Sequence, residues 1–269
     1  MAALSIIIVS CNTREDLLAC LASLASHPPA STHQVVVVDN ASTDGSVEAV
    51  HTAFPRVQTI TLNTNVGFAA ANNAGIRATE GPWVLLLNSD TLVTAGALDT
   101  LMARAAETGA AAAGPRLGNG AGRFEISFGS MLSPLGELRQ RLRQRAAVSS
   151  NALARGYVAR LLGRERTVDW VSGACLLVRR DAAGAAGLLD ERYFLYEEDV
   201  DFCAALRARG GRILFTPHAE LVHLRGRSRR AAGTRADAEY DRSHLLFYEK
   251  HAPQWVPLLR WWKRVRGRG

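Results

Sequence analysis

Four apolar, β-branched runs of strand length punctuate the first 90 residues, at 4–9, 35–38, 57–62 and 83–87. The stretches between them have helical spacing. Leu17, Leu18, Leu21 and Leu24 recur at that spacing up to the break at Pro28-Pro29. Ser42-Thr43-Asp44-Gly45 opens a second helix with Val47 and Val50, which stops before Pro55. Residues 68–78 read as a small-residue helix, 95–107 as another, and 110–113 as a further strand. Strands alternating with helices over this length indicate an α/β fold with a mostly parallel, Rossmann-like sheet flanked by helices.

Ligands of such sheets bind outside the carboxyl ends of the strands. Polar residues stand at those ends here: Asn12 after the first strand, Asp39 after the second, Asn65 after the third and Asp90 after the fourth. Four in succession outline a site. Asp39 and Asn40 have the groups to hydrogen-bond a base or ribose. Asn88-Ser89-Asp90 puts a carboxylate at the end of a buried strand. That suits Mg²⁺ or Mn²⁺ on a diphosphate, since hard cations take oxygen ligands.

At 48% apolar and 21% charged, the 269 residues have the balance of a globular protein. No apolar run approaches the ~18 residues of a membrane span. Residues 2–9 lack the cationic lead-in and cleavage site of a secretory signal. The net charge of +7 is unevenly spread: −5 over 1–115, +7 over 116–166, −5 over 167–203 and +10 over 204–269. An acidic body alternating with basic segments argues against a nucleic-acid coat and for local basic surfaces. Leu135, Leu138 and Leu142 with Arg139, Arg141, Arg143 and Arg145 predict an amphipathic cationic helix. It is read as a solvated surface helix or a contact with anionic lipid headgroups. Trp255, Leu258, Leu259 and Trp262 predict a second apolar helical face among basic residues, either docked on the body or anchored at a membrane interface. Cys11, Cys20, Cys175 and Cys203 lack metal-site spacing and read as reduced thiols of a cytoplasmic protein.

Glu197, Glu198, Asp199 and Asp201 are four acids within five residues, preceded by Tyr193, Phe194, Leu195 and Tyr196. Apolar flanks would partly bury them. Crowded, desolvated carboxylates repel, which raises the pKa of at least one and makes it a better general base. On a helix Asp199 and Asp201 stand about 200° apart, so one can face a site while the other faces away. His223 follows a short strand at 212–215 and is a candidate metal ligand.

Taken in order, these segments resemble inverting family 2 glycosyltransferases, closest to the rhamnosyltransferase-like subgroup. The resemblance runs through residues 9–12, 37–46, 65–68 with 72–75, 87–90, 172–175, and 189–194 leading into 196–201. It covers roughly residues 4–225 and implies a GT-A fold, a nucleotide-binding sheet merged with an acceptor-binding half. By position it implies that Ser10 and Asn12 line the nucleotide pocket and that Asp39, with Asn40, contacts the base or ribose. Asn65, Gly67 and Asn72 would lie near the nucleotide and diphosphate. Asn88, Ser89 and Asp90 match the D-x-D motif, with Asp90 and His223 as ligands of Mg²⁺ or Mn²⁺. Asp199, beside Glu198, matches the catalytic base. Trp170, Ser172 and Gly173 would line the sugar or acceptor pocket. Residues 224–228 depart from the family's usual Gly-rich stretch by being more basic, and Arg225 and Arg227 would supplement the metal in neutralising diphosphate. The chain departs from the pattern at Asn88, which replaces the first acid, and at Ser89, where the subgroup often has Pro. Cys11 stands where an aromatic residue is common.

The implied reaction is transfer of a sugar from a nucleotide sugar, with dTDP-rhamnose favoured over UDP-sugars. The implied acceptor is a hydroxyl of a glycan or lipid-linked glycan in cell-surface polysaccharide synthesis. The expected setting is the cytoplasmic face of a bacterial membrane, with peripheral contact to anionic lipid and no nucleic-acid partner. Residues 1–230 are expected to form one GT-A domain, with 1–115 as the donor half and 116–230 as the acceptor half. Residues 231–269 are expected as a basic, helical tail. A sugar-1-phosphate nucleotidyltransferase would usually carry a Gly-rich basic loop after the first strand, which residues 10–14 are not. A Rossmann oxidoreductase would need G-x-G-x-x-G after a strand. A non-catalytic membrane- or nucleic-acid-binding protein would leave the ordered strand-end acids unexplained.

Overall fold

A computed structural model of the chain describes residues 2–120, 122–224 and 235–265. Strands β1 (Leu4–Ser10), β2 (His33–Asp39), β3 (Gln58–Thr61) and β4 (Trp83–Asn88) alternate with helices α1 (Arg14–Ser26), α2 (Ser46–Ala53) and α3 (Phe68–Arg77). The four strands pair in parallel, in the order β3-β2-β1-β4. There follow β5 (Thr91–Leu92), α4 (Ala97–Thr108), β6 (Ala112–Gly118), β7 (Phe124–Glu125) and β8 (Phe128–Gly129). Next come α5 (Pro134–Val148), α6 (Ala152–Leu162), β9 (Arg166–Val168), β10 (Trp170–Val171), β11 (Cys175–Arg179) and α7 (Arg180–Ala186). The chain continues through α8 (Glu198–Ala208), β12 (Ile213–His223), α9 (Arg235–His251) and α10 (Val256–Val265).

The sheet extends from β4 through β11, β6, β12 and β5. β11 runs antiparallel to both its neighbours, β12 is parallel to β6, and β5 closes the edge antiparallel. The expected α/β sheet is therefore present, with β1 to β4, β6 and β12 running in one direction and the antiparallel β11 and β5 making it mixed. Successive side chains of a strand point to opposite faces. Ile7, Val36, Val38 and Leu86 fill the core on one face, and Ile6, Ile8, Val37 and Leu87 fill it on the other. Burial on both faces is why these strands read as continuous apolar runs.

The strand expected over 212–215 runs on to His223. Its register against β6 shifts between Thr216 and Glu220, around Pro217. Proline cannot donate to a ladder and is tolerated at a bulge. The bulge lets pairing resume and carries His223 opposite Thr91 of β5.

Helix α5 forms where the leucine spacing placed it, but Leu135, Leu138 and Leu142 are all exposed. In α10 the exposed apolar residues are Leu258, Trp261 and Val265, continuing from Trp255, while Leu259 is half-buried. Of the face expected from Trp255, Leu258, Leu259 and Trp262, the first two residues are thus exposed and Leu259 is partly covered. Lys263 Nζ donates to the Asp241 carbonyl at 2.6 Å and Arg260 pairs with Glu249 at 2.7 Å, tying α10 to α9. The side chain of Trp262 lies outside the described residues. No described helix is long and apolar enough to cross a membrane.

Candidate active site at the strand ends

Register alone assembles the first part of the site. Ser10 lies opposite Asp39, and Val9 opposite Asn88, so the ends of β1, β2 and β4 share one edge. Ser10 Oγ, Thr13 Oγ1 and Ser89 Oγ form a hydroxyl chain with 2.9 Å links. Asp39 Oδ2 accepts from Ser42 N at 3.1 Å, and its Oδ1 is buried with no hydrogen-bond partner. Asn12 adopts a left-handed conformation (φ 53°), and its Oδ1 accepts from Thr43 N at 2.8 Å. That bond ties the β1 turn to the β2 turn.

Asn40 organises the loop after β3. It donates to Asn65 Oδ1 at 2.9 Å and accepts from Val66 N at 2.9 Å. Gly67 follows, at φ 89°, and a Cβ there would stand 2.6 Å from the Phe194 carbonyl oxygen. Only glycine allows this approach, and Phe68 N donates to that same carbonyl at 2.7 Å. Asn72 is buried and donates to Phe68 O within its own helix. Its neighbour Asn73, not singled out from sequence, bridges to the second half. It donates to Leu189 O and Glu191 Oε1 and accepts from Leu189 N.

The turn between β4 and β5 holds Asp90, only 1% exposed. The pairing of β12 with β5 brings His223 Nε2 to 3.3 Å from Asp90 Oδ1. His223 Nδ1 lies 2.9 Å from Glu125 Oε1. Burial opposes charge on the ring, yet the carboxylates of Asp90 and Glu125 prevail and raise its pKa to about 9. Glu125 was missed from sequence. The period-two alternation of Phe124, Ile126 and Phe128 signals a strand there, but nothing local shows that Glu125 would be buried. Asn88 Oδ1 is likewise buried without a hydrogen-bond partner. A carboxylate, an amide oxygen and an imidazole suit a divalent cation. Among the described residues no three His, Cys, Asp or Glu side chains converge as a ready cage.

The acidic turn is joined to this group by short links. Ala174 O accepts from Asn88 N and from Thr91 Oγ1, both at 3.1 Å. One residue earlier, Gly173 N donates to Asp199 Oδ2 at 2.7 Å. Asp199 Oδ1 accepts from Val200 N at 2.8 Å. Burial, supported by the nearby Glu197 charge, raises the Asp199 carboxyl to about 6 against these two N–H groups. Glu198 is buried with Oε2 unpartnered, and burial beside Asp199 pushes its carboxyl well upward. Tyr196 (φ 70°) and Glu197 (φ 64°) are consecutive left-handed residues at the entry to α8. Such residues cost about 1–3 kcal/mol each and cluster at functional sites. Asp201 points away from Asp199, to Lys250 at 2.9 Å and His251 at 2.6 Å on α9.

Trp170 Nε1 donates to Ser130 O at 2.9 Å, and half-buried Ser172 precedes the Gly173 anchor. Arg225 and Arg227 lie outside the described residues.

A mixed sheet flanked by helices, with polar groups at its parallel strand ends and an acidic turn joined to them, is the GT-A glycosyltransferase arrangement. Solved structures share the fold. A mannosyltransferase from Pyrobaculum calidifontis in complex with GDP-Man and Mn²⁺ superposes with a TM-score of 0.62 at 17% identity, over 96% of this chain and 68% of that one. GalNAc-T7 with UDP, GalNAc and Mn²⁺ gives 0.60 at 15% identity, over 83% of this chain and 44% of that one. Residues 5–182 match Glycosyl transferase family 2, and the chain belongs to that family. It is 32% identical to the N-acetylglucosaminyl-diphospho-decaprenol L-rhamnosyltransferase of Mycobacterium tuberculosis, over 92% of this chain and 83% of that protein. It is 28% identical to the O-antigen biosynthesis protein RfbC of Myxococcus xanthus, over 92% of this chain but 19% of that protein.

Proposed function

We infer that the chain transfers a deoxyhexose, L-rhamnose from dTDP-rhamnose, to a hydroxyl of a polyprenyl-diphosphate-linked sugar, with inversion at the anomeric carbon. The observation that carries this reading is the bonding path from the 88–91 turn through Ala174 and Gly173 to Asp199. It sets a carboxylate of raised pKa beside the strand-end group. The mycobacterial relative's name supports the choice of sugar and acceptor.

Asp199 takes the proton of the acceptor hydroxyl as that oxygen attacks the anomeric carbon, and the bond to the nucleoside diphosphate breaks. General-base assistance of this kind contributes about 10²–10⁴-fold. Gly173 N–H and Val200 N–H aim the carboxylate. Asp39 and Asn40 hold base and ribose, while Ser10, Asn12, Asn65 and Gly67 shape the nucleotide pocket. Asp90, His223 and Asn88 would hold Mg²⁺ or Mn²⁺, which stabilises the leaving diphosphate as a Lewis acid. Glu125, on the far nitrogen of His223, fixes the ring, as carboxylates behind metal-binding histidines do.

Incubating the enzyme with a panel of nucleotide sugars and a short polyprenyl-diphosphate N-acetylglucosamine tests this. Transfer from dTDP-rhamnose with an inverted linkage by NMR is expected. Transfer only from a UDP-hexose, or retention, would overturn it. Exposed Leu135, Leu138 and Leu142 beside Arg139 and Arg145, with Trp255, Leu258 and Trp261, suit docking on anionic lipid at the membrane's inner face.

A further inference from the structure

Away from the strand ends, a second set of titratable groups surrounds the buried His244 of α9. The residue is 5% exposed. Its Nδ1 lies 3.4 Å from Glu197 Oε1 and its Nε2 lies 3.2 Å from Glu137 Oε1 of α5. Tyr248 OH also donates to Glu137 Oε1. Tyr240 stacks on the imidazole, and Tyr248 meets its edge. Arg141 pairs with Glu137 from outside. Burial of the ring opposes its charge, yet the buried Glu197 and half-buried Glu137 carboxylates prevail, hold it as the cation and raise its pKa to about 9.

What His244 grips is the entry to the acidic turn. Glu197 is left-handed and immediately precedes Glu198 and Asp199. The same helix grips the turn on both sides. Ser243 Oγ donates to Leu195 O at 2.8 Å, and Lys250 and His251 hold Asp201. Tyr196, the other left-handed residue, meets the Tyr240 ring edge-on. Facing Asp199 are Glu197 and Glu198 from its own turn, Gly173 N from the turn before β11, and Cys203 one helical turn on.

We propose that His244 is a positioning residue for Asp199: by pairing with Glu197 it pins the left-handed turn and offsets the Glu197 charge that Asp199 feels. The inference rests on Asp199 being the base. His244 touches none of the reacting atoms. It acts through Glu197, so the effect of removing it must depend on Glu197.

The test is a cycle of full-length His244→Gln, Glu197→Gln and the double variant, read as kcat against pH, with donor affinity by thermal shift. In His244→Gln, kcat at neutral pH should fall roughly 10–100-fold, as for a misplaced catalytic group. Its acid limb should move to higher pH, because an unpaired Glu197 charge disfavours ionised Asp199. Donor affinity should stay within twofold or so. In the Glu197→Gln background, the same His244 change should move the limb less. An unmoved limb, or an equal shift in both backgrounds, overturns the proposal. Should His244→Gln fail to fold, Glu197→Gln alone decides: a limb shifted to lower pH supports the proposal, and an unmoved or raised one overturns it. Failure of the base assignment looks different, since Asp199→Asn would then keep its turnover.

Discussion

The donor edge and the acidic turn hold their functional groups by different means. At the donor edge, Ser10, Asp39 and Asn88 are placed by strand register, and the ladder that positions them is the core of the fold. In the acidic turn, Asp199 sits on two left-handed residues. The segment around them is held by Gly67 against Phe194, Asn73 on Leu189, Gly173 on Asp199, Ser243 on Leu195 and His244 on Glu197. A site built on strand ends inherits rigidity from the sheet. A site built on a strained turn depends on each of its distant props.

The largest expected effect is at the turn. Asp199→Asn should lower transfer by about 10²–10⁴-fold while donor binding survives. In the unsubstituted enzyme, kcat should climb as pH rises through about 6, the range to which burial lifts this carboxyl, because only the ionised form accepts a proton. Wild-type turnover in the variant would remove the distinction between the two regions.

Gly67→Ala tests whether the donor loop props the turn. A methyl group 2.6 Å from the Phe194 carbonyl, at a left-handed φ, should destabilise the protein by roughly 2–5 kcal/mol in denaturant titrations. A loss below about 0.5 kcal/mol, within the usual range for surface changes, would mean that the contact does not constrain the turn.

A smaller and more local effect is expected at the donor edge. Asp90→Ala should weaken Mn²⁺ binding roughly 10–100-fold, measured by calorimetry on the substrate-free protein. Unaltered Mn²⁺ affinity would remove Asp90 from the cation site.

The smallest effect concerns the surface. Removing residues 254–269 should reduce co-sedimentation with anionic vesicles and leave transfer to a soluble acceptor intact. Full vesicle binding by the shortened chain would assign the lipid contact to α5 alone.

Much of this was readable from the chain. Continuous apolar runs and helical spacing located β1 to β4, α1 to α3 and the polar strand-end residues, because those patterns are local. His223 was legible as a residue type but not as the end of a long strand, since Pro217 reads as a terminus until a neighbour shows it to be a bulge. Glu125, Asn73 and His244 carry no local signal of burial. Each meets its partner across a wide separation, 98 residues for Glu125 with His223, 116 for Asn73 with Leu189 and 47 for His244 with Glu197.

The order of apolar runs and polar strand ends settled the parallel strands and the polar edge where they end, because hydrophobic patterning and strand termination are properties of neighbouring residues. What each of the four clustered acids would face was settled by packing, since Glu197, Glu198 and Asp201 are all buried beside Asp199. Asp199 turns to the Gly173 amide and Asp201 to Lys250 and His251, and only folding brings those groups within reach. A carboxylate's pKa answers to its surroundings in space, so composition could announce an acidic cluster but not choose its base.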